Sequence, residues 1–379
     1  MKYYLVAGEA SGDLHASRLM HEIKQLDKEA DFRFFGGDLM QAEGGVLVRH
    51  YRDMAFMGFI DVARNLGTIM NLMEECRRDI RLYAPDAVIL VDYPGFNLKI
   101  ARYVKETLGI KVHYYIAPKI WAWKEYRIKS IKRYVDFMYS ILPFEPDYFA
   151  RLGYKVDYVG NPTVDELLVR PYADETFDDF VRDNSLPSKP IIALVSGSRV
   201  GEIKGSLPRM IESARHLTDY QLVVAGAPGI SPLLYASIIG DLPVVVLYGK
   251  THRLMKQATA ALVTSGTATL EAAVIGVPQV VCYHVFGGRV THKIFEYVLR
   301  NISYVSLVNL IADRPVVKEL LAHHFNPRDT RRELERILRP DVRAEMSEGY
   351  AEVMRRLGGT GAARRAAALV VERAGRHNF

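Results

Sequence analysis

The sequence predicts an α/β protein made of two similar halves, each a largely parallel sheet covered by helices, facing one another across a cleft. Three observations predict it. Short apolar runs alternate with helix-spaced stretches along most of the 379 residues, the pattern of strand–helix–strand units and therefore of parallel sheets. A polar, acidic stretch over residues 163–189 divides the series in two, and the length suits two domains. Turns of small residues follow strands in both halves, and sheets of this class gather ligands at such strand ends.

The first half opens with a short apolar strand at 3–7, a small-residue loop at 8–13, and a helix with Leu19, Ile23 and Leu26 at helical spacing. Ser11 or Asp13 can cap that helix, and Ser11, Gly12 and Asp13 form an anion-friendly turn at its start. The turn is not G-x-G-x-x-G, so no dinucleotide fingerprint is read here. A second strand covers 32–35. Residues 54–73 then hold too many apolar positions for one helical stripe, Met57, Phe59, Ile60, Leu66 and Ile69 among them, beside Arg64, Arg77 and Arg78. Either these are core helices, the usual use of methionine-rich stripes, or they form an apolar patch with basic neighbours suited to a lipid surface. Residues 87–91 are a continuous apolar strand, as expected of a sheet covered on both faces. It ends at Asp92, which is either a candidate general base at a ligand-gathering strand end or a turn residue before Pro94. Further strands fall at 112–116, 135–142 and 156–159. Between them Trp121 and Trp123 precede a basic run, which reads as a solvated helix face or as a contact to lipid headgroups.

The second half starts at Pro190, with strands at 191–195, 222–225, 244–247, 261–264 and 279–282. After the first, Ser198 and Arg199 can meet a diphosphate through backbone N–H groups and one guanidinium, or Arg199 can make a surface ion pair. After the fourth, Ser265-Gly266-Thr267 starts a helix, with Thr267 as its expected N-cap and Glu271 in its first turn. Such a start aims N–H groups and a positive dipole end at one spot, which suits a phosphate; Glu271 can then hold ribose hydroxyls. The alternative is an ordinary turn of the fold. Asn309 sits inside an apolar run and is either a packed core amide or a ligand contact. The reading divides the chain into 1–162, 163–340 and a basic helical tail at 341–379 that packs back on the first half or on a partner subunit.

Composition narrows the function. Hydrophobic residues at 49% and charged residues at 25% are ordinary for a globular chain. The net charge of +6 favours nucleic acid, an anionic membrane face or phosphorylated small molecules. No zinc-ligand spacing and no nucleic-acid motif is present in the sequence, which leaves the last two. Two distant cysteines, Cys76 and Cys282, make no disulfide framework and fit a reduced cytosolic setting. There is no signal-peptide pattern at the start and no apolar run of about 18 residues, so no membrane span is expected.

A series of motifs then resembles the lipid-A-disaccharide synthase family, glycosyltransferases of the GT-B architecture with two Rossmann-like domains. They are VAGEASGD at 6–13, MQAEG at 40–44, MG at 57–58, DYPGFN at 92–97, WAW at 121–123, LPFE at 142–145, GSR at 197–199, SGTATLE at 265–271 and YVSLVNL at 304–310. Any one is weak; together, and in the family's order, they are specific. The chain departs from the pattern at Asn161, where the family often has His, and at Ala117-Pro118-Lys119, where it often has Ser-Pro-Ser. The resemblance implies transfer of 2,3-diacylglucosamine from its UDP derivative to the 6-hydroxyl of 2,3-diacylglucosamine 1-phosphate, with inversion, giving the β-1,6 disaccharide 1-phosphate and UDP. It implies Asp92 as base, and Ser198, Arg199, Ser265, Gly266, Thr267, Glu271 and Asn309 around the donor UDP. It places Ser11, Gly12 and Asp13 in the acceptor cleft loop, and Met57, Phe59, Ile60, Leu66 and Ile69 against acyl chains or the inner face of the cytoplasmic membrane. No metal or other cofactor is expected, since Arg and helix N–H groups can carry the leaving-group charge and no DxD-type motif occurs. A homodimer is left open. The rivals are another UDP-sugar enzyme of the same architecture, such as a 2-epimerase or a soluble-acceptor transferase, and a peripheral membrane protein that only binds nucleotide-sugars.

Overall fold

The computed structural model describes residues 1–54, 66–168, 172, 174–264, 266–284 and 303–375. The chain forms two compact units, Met1–Pro162 with Thr360–Phe379, and Thr163–Gly359.

The first unit holds a seven-stranded sheet in the order β3-β2-β1-β4-β5-β6-β7. Its strands are β1 (Lys2–Ala7), β2 (Asp31–Gly36), β3 (Val46–His50), β4 (Ala87–Val91), β5 (Lys111–Tyr115), β6 (Phe137–Ser140) and β7 (Asp157–Tyr158). All pairings are parallel. β4 is buried at every position, as its unbroken apolar run requires, because helices cover both faces. One face packs Leu19, Met20 and Ile23 of the Ala10–Leu26 helix. The other packs Leu72, Met73, Cys76 and Ile80 of the Leu66–Tyr83 helix.

That second helix bears on the apolar 54–73 segment. Its inward stripe is core, whereas Met70 is 65% exposed and Ile69 half-buried. Met57, Phe59 and Ile60, and the side chain of Leu66, lie outside the described residues. Trp121 does not face outward to headgroups with a free indole: its N–H is donated to Glu145 at 3.1 Å, and its ring packs edge-on against Phe144.

The second unit holds a six-stranded parallel sheet in the order β10-β9-β8-β11-β12-β13. Its strands are β8 (Ile191–Val195), β9 (Gln221–Gly226), β10 (Val244–Tyr248), β11 (Ala260–Thr264), β12 (Gln279–Tyr283) and β13 (Lys318–Leu321).

The basic tail is shared between the units rather than forming one piece from 341. The Pro340–Leu357 helix stays with the second unit, burying Met346, Tyr350 and Val353, and the Tyr350 hydroxyl donates to the Val277 carbonyl at 3.0 Å. Gly358, with φ of +75°, breaks the helix. The Ala362–Gly375 helix then packs on the first unit through Ala366, Ala367, Val370 and Ala374. Arg373 locks it to Asp157 at 2.6 Å, and Arg365 Nε donates to the Val159 carbonyl at 2.7 Å.

Candidate active site

In each sheet the chain runs outward to one side, then returns to the middle and continues to the other. The reversal lies between β1 and β4 in the first sheet, and between β8 and β11 in the second. Parallel sheets bind ligands in the crevice beyond the strand ends at such reversals.

At the first reversal stands Asp92. Register pairs Ala7 with Val91 and Val91 with Tyr115, so the loops after β1, β4 and β5 meet there. Asp92 and Tyr93 both adopt left-handed backbone, φ +45° each. That conformation is costly for two successive residues other than glycine, and the surroundings hold it in place. The Asp92 N–H donates to Tyr115 O at 3.0 Å, and its carbonyl accepts from Asn97 Nδ2 at 2.8 Å and from the Tyr114 hydroxyl at 2.5 Å. The Tyr93 ring lies over Gly8, where an added Cβ would stand 2.3 Å from Cδ1. All these bonds use the main chain of Asp92 and leave its half-buried carboxylate at the strand end. Burial raises its pKa above the usual carboxylate range, while the Lys119 ammonium and the Tyr93 N–H act in the opposite direction.

Lys119 also acts on a second acid, Glu145, which is 1% exposed. Glu145 accepts the Trp121 indole N–H and the Leu142 N–H at 3.3 Å. Burial pushes its carboxyl up to about 8, against the pull of Trp121 and Lys119. Sequence reasoning assigned Glu145 no role; the departure at Lys119 was the signal that a charge enters this loop.

The acceptor-loop assignment needs correcting. The first helix starts at Ala10, so Asp13 lies inside it and caps nothing of its own. Asp13 is 3% exposed and its carboxylate accepts from Gly37, Leu39 and Met40 N–H at 2.8, 3.1 and 3.1 Å. It therefore caps the short Asp38–Ala42 helix. Gly12 is buried, its pro-Cβ position 3.3 Å from Ala7 Cβ, and serves close packing on β1. Ser11 alone of the three is exposed at the strand end.

At the second reversal lies a cavity of about 780 Å³. The loops after β8, β9, β10 and β11 line it, with Ser198, Arg199, Gly266, Thr267 and Glu271 among the residues present. Gly266, not Thr267, is the N-cap of the Thr267–Ile275 helix; its φ of +148° suits only glycine. Gly266 brings no capping side chain; the Thr269 N–H turns back to Gly266 O at 3.3 Å, and among the described residues the Thr267 and Ala268 N–H groups begin the helix beside the cavity. The turn after β8 differs from expectation. Ser198 and Arg199 N–H both donate to Glu202 Oε2, at 3.0 and 3.3 Å, so those donors are already used. The Arg199 side chain is 69% exposed, with Glu202 3.6 Å from its guanidinium. Glu271 is five residues into the helix, and its Oε2 meets His252 Nε2 at 3.2 Å. Ser265 lies outside the described residues.

Asn309, expected at the donor, does not line this cavity among the described residues. Its Nδ2 donates to Val317 O and Glu319 Oε1, both at 2.9 Å, and its Oδ1 accepts from Val316 and Val317 N–H. Every position of the amide is filled within its own unit. Conversely, sequence reading missed Lys250, His252, Arg253 and Tyr172 in the lining. Gly249, a turn residue directly after β10 with φ of +67°, was the available signal. Among the described residues no cluster of three or more His, Cys, Asp or Glu could hold a metal ion.

The family described as lipid-A-disaccharide synthetase matches residues 3–372. The chain belongs to the lipid-A-disaccharide synthetase family. Relatives named lipid-A-disaccharide synthase include one from Myxococcus xanthus, 38% identical over 97% of this chain and 96% of that protein. Another, from Geobacter metallireducens, is 36% identical over 98% and 97%. Among solved structures, a putative UDP-N-acetylglucosamine 2-epimerase from Listeria monocytogenes aligns at a TM-score of 0.66 with 14% identity, covering 100% of this chain and 97% of that one. The glycotransferase of kitacinnamycin aligns at 0.64 with 14% identity, covering 98% of each. These likenesses show the fold, the GT-B architecture of two parallel-sheet α/β domains. Family membership makes the chain a glycosyltransferase of lipid A biosynthesis, and the 2-epimerase alternative is not favoured: that likeness is one of fold, whereas the synthases match in sequence.

Proposed function

We propose that this member of the synthetase family transfers 2,3-diacylglucosamine from its UDP derivative to the 6-hydroxyl of 2,3-diacylglucosamine 1-phosphate. The family match over residues 3–372 carries this reading. The Asp92 carboxylate takes the proton of the acceptor 6-hydroxyl as that oxygen attacks the donor anomeric carbon. The bond from that carbon to the diphosphate breaks on the opposite side, UDP departs, and the new linkage is β. The Arg199 guanidinium and the first N–H groups of the Thr267–Ile275 helix bind the diphosphate, whose charge grows as it leaves. Glu271 holds the ribose hydroxyls, with His252 fixing one of its oxygens.

The same reading places the protein at the inner face of the cytoplasmic membrane, where its acylated substrates reside. Among the described residues no helix is long and apolar enough to cross a bilayer. Attachment is interfacial, with the exposed Met70 of the Leu66–Tyr83 helix and nearby arginines as described contributors.

Purified protein given both diacylated substrates should release UDP and form a disaccharide 1-phosphate in equal amounts. Epimerised UDP-sugar without acceptor consumption would refute the proposal.

A further inference from the structure

Tyr172 is the one Phe, Tyr or Trp among the described residues lining the second-unit cavity. It is 47% exposed, yet one face of its ring is occupied: the Arg253 guanidinium carbon lies 4.0 Å from the ring centroid. Arg253 is itself fixed. Its Nε donates to Glu175 at 2.9 Å, its Nη2 meets the same carboxylate, and Asp183 stands 3.6 Å away. The Arg253 and Glu175 side chains are 15% and 6% exposed. The Thr251–Gln257 helix also anchors the chain around the ring, since Lys256 Nζ donates to Tyr172 O at 3.3 Å and Gln257 Nε2 to Glu175 O at 2.7 Å. The ring is thus backed by a held cation and shares a cavity with Arg199, the start of the Thr267–Ile275 helix and Glu271.

A nucleotide brings a third part, its flat base, which needs a π surface. Polar loops at strand ends do not supply one. We propose that Tyr172, backed by Arg253, is the stacking platform for the nucleobase of the donor nucleotide. This rests on the donor reading of the same cavity. A preset cation beneath the ring removes most of the ordering cost of the stack, and Arg–aromatic stacking adds to it. Stacking tolerates any base, so this contact sets affinity rather than base identity.

The test is calorimetric titration of the full chain with UDP and with ribose 5-diphosphate, which lacks the base. Wild type, Tyr172→Phe and Tyr172→Ala are compared, with thermal melts to check folding. Wild type should bind UDP more tightly than ribose 5-diphosphate. Tyr172→Ala should lose about five- to hundredfold in UDP affinity and nothing toward ribose 5-diphosphate, and Tyr172→Phe should stay within about twofold of wild type. Unchanged UDP affinity in Tyr172→Ala overturns the proposal, as does an equal loss toward both ligands. If wild type binds both ligands equally, the base has no platform although the diphosphate reading stands. If it binds neither, the donor reading falls and the platform with it.

Discussion

Replacing Arg199 separates ligand binding from folding. Its side chain is 69% exposed, and the guanidinium stands 3.6 Å from Glu202. An exposed pair of this kind contributes between about 0 and 1 kcal/mol, so Arg199→Ala should leave stability nearly unchanged. The N-terminus of the Val200–Ala214 helix is held instead by the Glu202 carboxylate on Ser198 and Arg199 N–H, and these backbone bonds survive the substitution. When a diphosphate arrives, the guanidinium gains charge-assisted hydrogen bonds worth about 1.5–3 kcal/mol. Its loss should therefore raise the UDP Kd by about ten- to hundredfold. Arg199→Lys should recover only part of this, because an ammonium lacks the planar fork. Wild-type affinity should also fall more steeply with salt than that of the alanine variant. Calorimetry gives the affinities and urea unfolding the stability. An unchanged Kd in Arg199→Ala, or a fall in stability matching the fall in affinity, would remove Arg199 from the diphosphate contact.

Three further predictions concern the supporting structure. Asp13→Ala strips two buried N–H groups and one part-buried N–H of their acceptor and should cost about 2–4 kcal/mol in urea unfolding, with UDP affinity unchanged in the folded protein. Glu145, raised by burial to about 8, contributes stability that is fully present below its unfolded pKa, the ordinary 4.5, and lost as pH rises through 8. Melting curves should accordingly show Glu145→Gln, which keeps an acceptor for Trp121, gaining on wild type between those values by an amount on the order of a few kcal/mol. Met70→Glu should reduce sedimentation with anionic vesicles at low salt and slow transfer between acylated substrates, while UDP affinity stays level; unchanged sedimentation would remove this helix from the membrane contact.

Much of the architecture was legible because buried parallel strands announce themselves. β4 and β8 are unbroken apolar runs, and each is buried throughout. β3 and β13 were missed because their apolar stretches are short and mixed with charge: VLVRH and KELL hold three and two successive apolar residues and are largely half-exposed at the sheet edges. The Ser11–Asp13 stretch misled because small residues after a strand resemble a binding loop. Here the helix begins earlier, and Asp13 serves a neighbouring helix 24 residues further along the chain, at Gly37. Asn309 could not be decided from sequence, since its partners Val316, Val317 and Glu319 become acceptors and donors only once the Leu307–Ala312 helix turns back on β13. The Tyr172–Arg253–Glu175 stack was hidden for the same reason: it joins residues about 80 positions apart, 78 in the ion pair itself.

The proposed transfer stands on Asp92 acting as the base. The most direct measurement is turnover of the two diacylated substrates by Asp92→Asn beside wild type, with UDP affinity measured on the same preparations. The amide keeps the shape but accepts no proton, so kcat should fall by about a hundredfold or more while the UDP Kd is unchanged. Because burial raises the Asp92 pKa, the wild-type rate should fall as pH drops through a value above the usual carboxylate range, and this limb should be absent from the variant's residual rate. Turnover near the wild-type rate in Asp92→Asn would rule Asp92 out as the base.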